Sequence, residues 1–562
     1  MAISYWALSV LVSVYLSTSS VNCSPVAGSL DESLRNDLTI STSTGIVRGG
    51  HGGQTPKKRN IFRFRSIPYA EPPLGNLRFE PPVPKAAWSG VLDVRYTKPV
   101  CTQGSNPVIG SEDCLYLKIY TTNLPKEKKN LPVMVWIYGG AYQKGSPVFG
   151  DHSPDLLLDE GIILVSFHYR LGIFGFLSTG DLVSPGNAGL KDQVLALKWI
   201  KKNIAEFGGD PNKITIFGQS AGAASIAYLL QTNITQGLFN AAIMHSGHSL
   251  SQWALTRNAP TLTKNIAKVL KTSTSSSEKM IEGLKKINST ILQQEATAKF
   301  SDSLRDNPLG GLPLGPVIEP EHQGAIITGN SYEKLKKGQF HHIPIIIGHT
   351  SREALLESLS GIIRLWLFTF DIQPSKLVPA SMNTKGQTNN QIGRSIKKHY
   401  FPTTSVARSN GELMDFISDD QWQRPIQESV RLYSARTPVF YYQFSHIGSL
   451  YGITERKIQG VGHTEDLAYI FDFGHSGSSD DLLVRSRMVK MWTNFAKTGN
   501  PTPVVDPLLQ NISWTANNGQ NSDVNRLEIS NNLTCTFNPN AKNIKFWRDL
   551  FAKNGISPFS TY

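Results

Sequence analysis

The hydrophobic pattern of the chain consists of short apolar runs separated by longer stretches of mixed polarity. The runs are four to eight residues long and rich in β-branched and aromatic residues, as in strands buried on both faces of a parallel sheet. They lie at 131–138, 162–167, 214–217, 241–244, 343–347 and 439–444. We therefore predict a series of core strands spread over most of the chain.

Helical periodicity occurs between these runs. Apolar residues recur every three or four positions from 187 to 207, which predicts one amphipathic helix that ends at Gly208 and Gly209. Residues 255–340 and 360–430 combine helical periodicity with polar linkers, as in helical insertions. Strands that alternate with helices indicate an α/β fold, with a central, mostly parallel, twisted sheet covered by helices on both faces. Ligands bind at the carboxyl edge of such sheets, so we expect the insertions there.

The third apolar run leads directly into Gly218-Gln219-Ser220-Ala221-Gly222, a G-x-S-x-G pentapeptide followed by small residues. A serine on so sharp a turn from strand to helix has a strained backbone conformation, and its hydroxyl projects above the sheet. The glycines are needed because a Cβ there would collide with the neighbouring strand or helix. We predict that Ser220 is a nucleophile at a helix N-terminus. An ordinary glycine-rich turn is the alternative.

A nucleophilic serine needs a base that takes its proton and an acid that orients the base. In α/β folds with this turn, the order along the chain is serine, then aspartate or glutamate, then histidine. Glu353 follows the run at 343–347, and His463 follows the run at 439–444 after a longer loop. We therefore predict Glu353 as the acid and His463 as the base. A surface carboxylate and a structural histidine are the respective alternatives.

Such chemistry also requires N–H donors for the oxyanion of a tetrahedral intermediate. The run at 131–138 ends in Gly139-Gly140-Ala141, a turn that supplies two donors, and Ala221 directly after the serine supplies a third. We predict an oxyanion hole formed by the N–H groups of Gly140, Ala141 and Ala221. A simple turn at the end of a strand is the alternative.

The composition is that of a globular protein, with 40% hydrophobic and 18% charged residues in a chain of 562. The 56 basic and 43 acidic residues give a net charge of +13, but the basic residues are scattered and form no stripe interleaved with aromatic residues. We therefore expect no nucleic-acid partner. Since the sequence contains no metal-ligand or phosphate-loop spacing, we expect no cofactor and no metal.

The first residues indicate export. An apolar run at 6–16, too short to span a bilayer, precedes small and polar residues and predicts a signal peptide at 1–23. The remaining residues, 24–562, are expected to form one domain, whose polar start at 24–60 predicts a peripheral hairpin. The last residues carry neither an anchor nor a retrieval signal, so we expect a secreted protein without a membrane span. The sequence does not indicate an oligomeric state.

Export bears on the four cysteines. Cys101 and Cys114 close a short loop and are expected to pair in an oxidising compartment. If Cys23 is removed with the signal peptide, Cys535 is either unpaired or joined to another chain. Candidate N-glycosylation sequons lie at Asn233, Asn288, Asn511 and Asn532.

With its longer motifs, the chain resembles the type-B carboxylesterases of the cholinesterase-like α/β-hydrolase family. The resemblance runs from about residue 64 to residue 503. Its motifs are IPYAEPPLGNLRF, SEDCLYL, VWIYGGA, YRLGIFGFLSTGD, GLKDQ, FGGDPNKITIFGQSAGAAS, GxGHTED and WTNFAKTGNPTP. The resemblance implies an α/β-hydrolase fold with helical insertions over an active-site gorge.

By the same resemblance, Ser220, Glu353 and His463 form the triad of a secreted serine carboxylesterase that works through an acyl-enzyme. The oxyanion hole implied by the family is the one predicted above. The further pairs implied are Cys101 with Cys114, Arg78 with Glu112, and Arg170 with Asp192. The alternative class is a non-catalytic adhesion or binding protein of cholinesterase-like fold, and such proteins typically lack a triad member.

Departures from the family pattern bear on the substrate, which we expect to be a small apolar ester. The loop closed by Cys101 holds 12 residues and no Trp, so the aromatic platform that cholinesterases use for a cation is missing. Gln219 replaces the usual carboxylate before the nucleophile, and Arg352 and Ala354 flank the acid where Asp and Gly are common. Choline esters should therefore be poor substrates. With Gln219, the pentapeptide around Ser220 resembles that of juvenile hormone esterases from insects. Hydrolysis of a juvenile hormone, pheromone or odorant ester is therefore the alternative to general carboxylesterase activity.

Overall fold

The computed structural model describes residues 38–562 except 125, 126, 128, 148–153, 356, 385–387, 410, 454 and 520–522. The predicted signal peptide, with Cys23, lies outside the described residues. Strands are numbered here in chain order. They are β1 (Thr39–Ser41), β2 (Ile46–Arg48), β3 (Gly50–Gln54), β4 (Asn60–Pro68), β5 (Val91–Asp93), β6 (Gln103–Gly104), β7 (Val108–Ile109), β8 (Tyr116–Thr121), β9 (Leu131–Ile137), β10 (Ile163–Phe167), β11 (Gly209–Gln219), β12 (Ala241–His245), β13 (Ile345–Thr350), β14 (Val439–Phe444), β15 (Asn525–Ile529) and β16 (Leu533–Phe537).

The α-helices of the described residues are numbered in the same way. They are α1 (Asp155–Leu158), α2 (Gly172–Phe176), α3 (Ala188–Asn203), α4 (Ala221–Leu229), α5 (Ala259–Val269), α6 (Ser277–Lys285), α7 (Ser289–Asp306), α8 (Ser331–Lys336), α9 (Glu357–Ile372), α10 (Asn389–Tyr400), α11 (Gly411–Ser418), α12 (Arg424–Ser434), α13 (Ser479–Thr498) and α14 (Ala541–Asn554).

Within the described part of the chain, one large sheet of eleven strands has the order β16-β15-β14-β13-β12-β11-β9-β10-β8-β4-β3. Neighbouring strands from β15 to β10 along this order are parallel, and the strands toward the two edges are antiparallel. All residues from 214 to 219 in β11 are buried, because both faces of the sheet are covered. The predicted α/β fold is confirmed.

The chain reverses its direction across the sheet beside β9. It passes from β9 to β10 on one side and then returns through α3 to β11 on the other side. Where connections leave neighbouring strands in opposite directions, a crevice opens beyond their carboxyl ends. Ser220 directly follows β11, and the turn at Gly139 follows β9, so both lie at this crevice.

The core strands lie where the apolar runs predict them, with boundaries shifted by a few residues. β11 begins earlier than predicted because Gly209 pairs with Leu131 of β9 before an irregularity in the register. The predicted helix at 187–207 consists of α3 followed by a 3-10 turn at Ile204–Phe207. This turn ends at Gly208, where φ is +85°, a conformation that favours glycine.

The N-terminal segment departs from the predicted peripheral hairpin. β1 and β2 do form an antiparallel hairpin, which makes a small sheet with β5. β3 instead joins the large sheet through β4, which pairs with β8. β4 begins at residue 60, where the predicted hairpin segment ends, and its residues Phe64 and Ile67 are fully buried, so β3 lies beside a strand of the core.

The helical insertions hold parts of the carboxyl edge in place. The segment between β12 and β13 contains α5 to α8, and the segment between β13 and β14 contains α9 to α12. α7 packs against α2 and α5, and α11 packs against the 3-10 turn Glu353–Leu355. On the sheet itself, α4 and α13 both pack against β9 and β11. The strand that precedes Ser220 is therefore supported by two helices, and the predicted acid by an insertion helix.

Candidate active site

Ser220 occupies the turn between β11 and α4 in the strained backbone conformation that the motif predicts. Its φ is 56° and its ψ is −123°, a combination that a residue with a Cβ rarely adopts. Its N–H donates to the carbonyl of His245 at 2.8 Å, which ties the turn to β12. A Cβ on Gly218 or Gly222 would lie 2.5 or 2.0 Å from the carbonyl oxygen of Ile137 in β9. The glycines are therefore required by the close approach of β9.

Glu353 and His463, separated by 110 residues, form a buried hydrogen-bonded pair. Glu353 Oε2 lies 2.6 Å from His463 Nδ1. The backbone N–H of His463 also donates to the backbone carbonyl of Glu353 at 3.2 Å. Glu353 Oε1 also accepts the Thr350 N–H at 2.8 Å. Burial alone would raise the pKa of Glu353, but the imidazole of His463 and the Thr350 N–H, both of which contact the carboxylate, lower it below its ordinary value. The carboxylate is thus held ionised against the imidazole.

Arg352, one of the departures from the family pattern, connects the loops that carry this pair. Its guanidinium bonds both carboxylate oxygens of Asp415 in α11, at 2.8 and 3.0 Å. Its Nη1 also donates to the carbonyl of Gln459 at 2.7 Å, in the loop before His463. The positive charge beside the acid is thereby paired with another carboxylate and does not contact Glu353.

The free nitrogen of His463 faces a residue that sequence reasoning did not connect with it. Gln219 Nε2 lies 3.0 Å from His463 Nε2, and both side chains are buried. An amide nitrogen can only donate, so Nε2 is the acceptor and the ring proton is on Nδ1, toward Glu353. That is the tautomer a general base needs. Among the described residues, the Ser220 hydroxyl makes no hydrogen bond to His463, and Gln219 occupies the acceptor position.

The turn after β9 presents free N–H groups beside Ser220. φ is +97° at Gly140 and +55° at Ala141, and a Cβ on Gly140 would lie 2.0 Å from the Lys144 carbonyl. A Cβ on Gly139 would lie 3.0 Å from Ser220 Cβ, which shows how closely the turn approaches the nucleophile. Within the described residues, the N–H groups of Gly140 and Ala141 donate to no protein acceptor.

A third free N–H belongs to Ala221, the first residue of α4, since the first N–H groups of a helix have no intrahelical partner. It directly follows Ser220, so the three predicted oxyanion donors belong to backbone on both sides of the nucleophile. A developing negative charge at that position would be stabilised by these N–H groups and by the positive end of the α4 dipole.

A second buried histidine lies directly behind the nucleophile and was not predicted. His245 ends β12, and its Nδ1 lies 2.8 Å from Asp466 Oδ2 and 2.9 Å from the Tyr442 hydroxyl. The Trp492 indole N–H donates to His245 Nε2 at 2.8 Å. Since Asp466 is three residues after His463, this network anchors the histidine loop to β12, whose His245 carbonyl accepts the Ser220 N–H. The one feature of the sequence that could have indicated this network is the position of His245 at the end of a core strand.

A pair of tryptophan side chains, one of which packs against His463, was also not predicted from the sequence. Trp422 lies in a π-helical turn, Asp419–Gln423, between α11 and α12. Its ring centroid is 5.3 Å from that of His463 and 6.3 Å from that of Trp253. π-helical turns of this kind often occur at functional sites, and this one places a large apolar surface against the His463 ring.

The remaining predicted residues lie away from this constellation. Cys101 and Cys114 are joined by a disulfide, and Cys535 is free and exposed. The predicted ion pairs are present, with Arg78 Nε 2.7 Å from Glu112 Oε2 and Arg170 Nη2 2.7 Å from Asp192 Oδ1. The sequon asparagines are exposed: Asn233, Asn288, Asn511 and Asn532.

Comparison with known proteins gives one consistent group. A sequence model of the "Carboxylesterase family" matches residues 36–547. Venom carboxylesterase-6 of Apis mellifera is 33% identical, over 92% of this chain and 95% of that protein. Juvenile hormone esterase of Tribolium castaneum is 34% identical, over 84% of this chain and 86% of that protein. The crystal structure of juvenile hormone esterase from Manduca sexta, with OTFP covalently attached, superimposes with a TM-score of 0.80 at 27% identity, covering 92% of this chain and 99% of that one.

Proposed function

Given that this chain belongs to the carboxylesterase family and is a carboxylic ester hydrolase, we propose that Ser220 is its nucleophile, His463 its base and Glu353 its acid. The observation that carries this assignment is the 2.6 Å contact between Glu353 and His463 beside a serine in the strained turn. That contact joins a strand-end glutamate and a loop histidine at the crevice where α/β sheets bind ligands.

The reaction follows from this arrangement. Ser220 Oγ adds to the ester carbonyl carbon while its proton passes to His463 Nε2, and Glu353 stabilises the imidazolium that forms. The carbonyl oxygen becomes an oxyanion that accepts hydrogen bonds from the three free N–H groups described above. Collapse of this intermediate breaks the bond to the alcohol oxygen, which takes the proton from Nε2. Water then adds to the acyl-enzyme in the same way, releasing the carboxylic acid and free Ser220.

The direct test of this assignment is turnover of an uncharged nitrophenyl ester by matched serine variants. Ser220→Ala should lose the nucleophile and with it nearly all activity, while remaining folded. Ser273→Ala, which removes an exposed hydroxyl, should match the parent. Activity of Ser220→Ala within tenfold of the parent would rule out an acyl-enzyme on this residue.

For the substrate, we infer an uncharged ester. Gln219 is buried beside His463 and carries no charge, so no carboxylate has to lose its hydration when a hydrocarbon chain enters. The loop between Cys101 and Cys114 holds the short β6–β7 pair and no Trp that could face a cation. Both features argue against choline esters.

A second candidate is narrower, namely hydrolysis of a juvenile hormone, pheromone or odorant ester. It is favoured by two juvenile hormone esterases among the similar proteins, one found by sequence and one by fold. Values of kcat/KM for a long-chain terpenoid methyl ester, short aryl acetates and acetylthiocholine separate the alternatives. A low KM for the terpenoid ester supports the narrower function, and turnover confined to short acyl groups leaves the general one. Comparable turnover of acetylthiocholine contradicts the uncharged-substrate proposal.

The alternative class, a non-catalytic binding protein, is less well supported. Two observations count against it: Glu353 and His463 are buried and in contact, and Ser220 stands in the strained turn directly after Gln219, which contacts His463. A folded protein that turns over none of the esters above and reacts with no serine-directed reagent would favour this class instead.

We further propose that residues 24–562 are secreted as one domain after removal of residues 1–23, with glycans on the exposed sequons. No described helix combines the length and apolarity needed to cross a membrane. N-terminal sequencing of the protein recovered from the medium of expressing cells tests the cleavage, and mass loss on deglycosylation tests the glycans. Retention of the first 23 residues on the recovered protein would contradict the proposed cleavage.

A further inference from the structure

We propose that Gln219 is a positioning residue that holds His463 neutral and correctly oriented in the resting enzyme, and thereby sets the pH above which the enzyme is active. The inference rests on the proposed roles of Ser220 and His463. It goes beyond them because it assigns a role in proton transfer to a residue outside the triad.

The position of Gln219 supports this role. It is the last residue of β11, directly before the nucleophile, and its side chain is 2% exposed. Its Nε2 contacts His463 Nε2 at 3.0 Å. Its Oε1 points toward the other side of the site, since it lies 3.0 Å from where a Cβ on Gly139 would stand. The amide is thus held between the turn of the oxyanion donors and the base.

The direction of this hydrogen bond has a chemical consequence. A donor on Nε2 requires a lone pair there, so it favours the neutral ring with its proton on Nδ1. The protonated ring carries a hydrogen on both nitrogens and would meet the amide N–H with its own N–H. Gln219 therefore opposes protonation of the resting base from solvent. Ser220 gains access to Nε2 only when the amide yields this position, as substrate fills the crevice.

Other charges around His463 are already paired and do not contact its ring. They come from its own loop, from β12 and from the α11 side. These pairs are Glu465 with Arg456, Asp466 with His245, and Asp415 with Arg352. Among the described residues, the hydrogen bonds to the imidazole nitrogens come from Glu353 and Gln219. Gln219 is therefore the neighbour whose replacement should most directly change the proton equilibrium at Nε2.

The test compares pH profiles of kcat/KM for an uncharged nitrophenyl acetate. Gln219→Glu places a carboxylate where the amide donor was, so it should stabilise the imidazolium and move the acid limb up by about one pH unit or more. Gln219→Met removes the donor without adding charge, so its midpoint should move up by less. The expected order of midpoints is wild type, then Gln219→Met, then Gln219→Glu.

A structural role alone would lower the plateau and leave the midpoint in place, and that result in both variants would overturn the inference. Gln236→Glu adds the same charge at an exposed position and should leave the profile unchanged. If Gln219→Glu does not fold, the neutral Gln219→Met still gives the comparison. Full activity of Ser220→Ala would refute the proposed function itself, whereas an inactive Ser220→Ala with unmoved Gln219 midpoints refutes only the role of Gln219.

Discussion

Two buried histidines lie beside Ser220, each against a carboxylate, and their second ring nitrogens distinguish them. In both, Nδ1 meets the acid: Glu353 at 2.6 Å for His463 and Asp466 at 2.8 Å for His245. The Nε2 of His245 is occupied by the Trp492 indole, and the residue is completely buried. The Nε2 of His463 is contacted by the Gln219 amide, and the residue is 6% exposed.

The comparison shows that a histidine–carboxylate pair does not by itself make a base. A base also needs an Nε2 that a nucleophile can reach. We propose that the Nε2 of His463 meets this need when the Gln219 amide gives way to substrate, whereas the Nε2 of His245 stays bonded to the Trp492 indole. His245 acts on the nucleophile through its backbone, because its carbonyl accepts the Ser220 N–H at 2.8 Å. We therefore assign proton transfer to His463 and support of the turn to His245.

The largest expected effect comes from removing the base. His463→Ala should lower kcat by roughly 10^4-fold or more, because triad members act as a unit and only the oxyanion hole and substrate binding remain. The parallel variant His245→Ala should lose far less activity at a temperature where it stays folded. Steady-state kinetics on one uncharged ester measures both. Equal losses in the two variants would remove the distinction between the histidines.

Glu353→Gln should have the next largest effect, a loss of kcat of roughly 10^3- to 10^4-fold, because the ring loses the carboxylate that fixes its tautomer. Glu321→Gln, at an exposed carboxylate, provides the matched control and should keep parental activity. Turnover of Glu353→Gln within a few-fold of the parent would show that another carboxylate orients His463.

For the second pair, the main effect should be on stability. His245→Ala leaves the Asp466 carboxylate buried without its histidine, which should lower the free energy of unfolding by roughly 3–5 kcal/mol. Urea denaturation followed by circular dichroism measures this loss. The exposed His342 is the control, and His342→Ala should change stability by about 0.5 kcal/mol or less. A destabilisation of His245→Ala no larger than that of the control would contradict the supporting role.

The smallest effect concerns acid stability. The folded-state pKa of Glu353 is lowered, so its ionised form stabilises the fold fully above the unfolded pKa of about 4.3 and less as pH falls through the folded value. The difference in unfolding free energy between the parent and Glu353→Gln should therefore shrink from pH 6 to pH 3. A difference that stays constant over this range would mean that the carboxylate is not held ionised by its partners.

Much of the fold could be predicted because its core strands are buried on both faces. Runs such as 131–138 and 162–167 are almost entirely apolar, so their assignment as buried strands is clear. The edge strands β3 and β16, and β15 beside β16, escaped prediction because they contain no continuous buried apolar run and depend on a partner strand. Tertiary pairing, which no local pattern records, decides these strands.

The site also contains residues that the sequence predicts and contacts that it does not predict. Ser220 follows from a five-residue pattern with strict backbone requirements, and Glu353 and His463 follow from chain order after core strands. The contact between Gln219 and His463 joins residues 244 positions apart and depends on side-chain packing, so no spacing in the sequence points to it. The same holds for His245 with Asp466, because a histidine at the end of a buried strand is usually a satisfied core residue.

The most direct test of the account is covalent labelling with a fluorophosphonate followed by peptide mass spectrometry. The account predicts one adduct, on Ser220 in the peptide that spans the end of β11. It also predicts much slower labelling in His463→Ala and near-parental labelling in folded His245→Ala. A parent protein that is folded but carries no adduct on Ser220 would contradict the assignment of the active site.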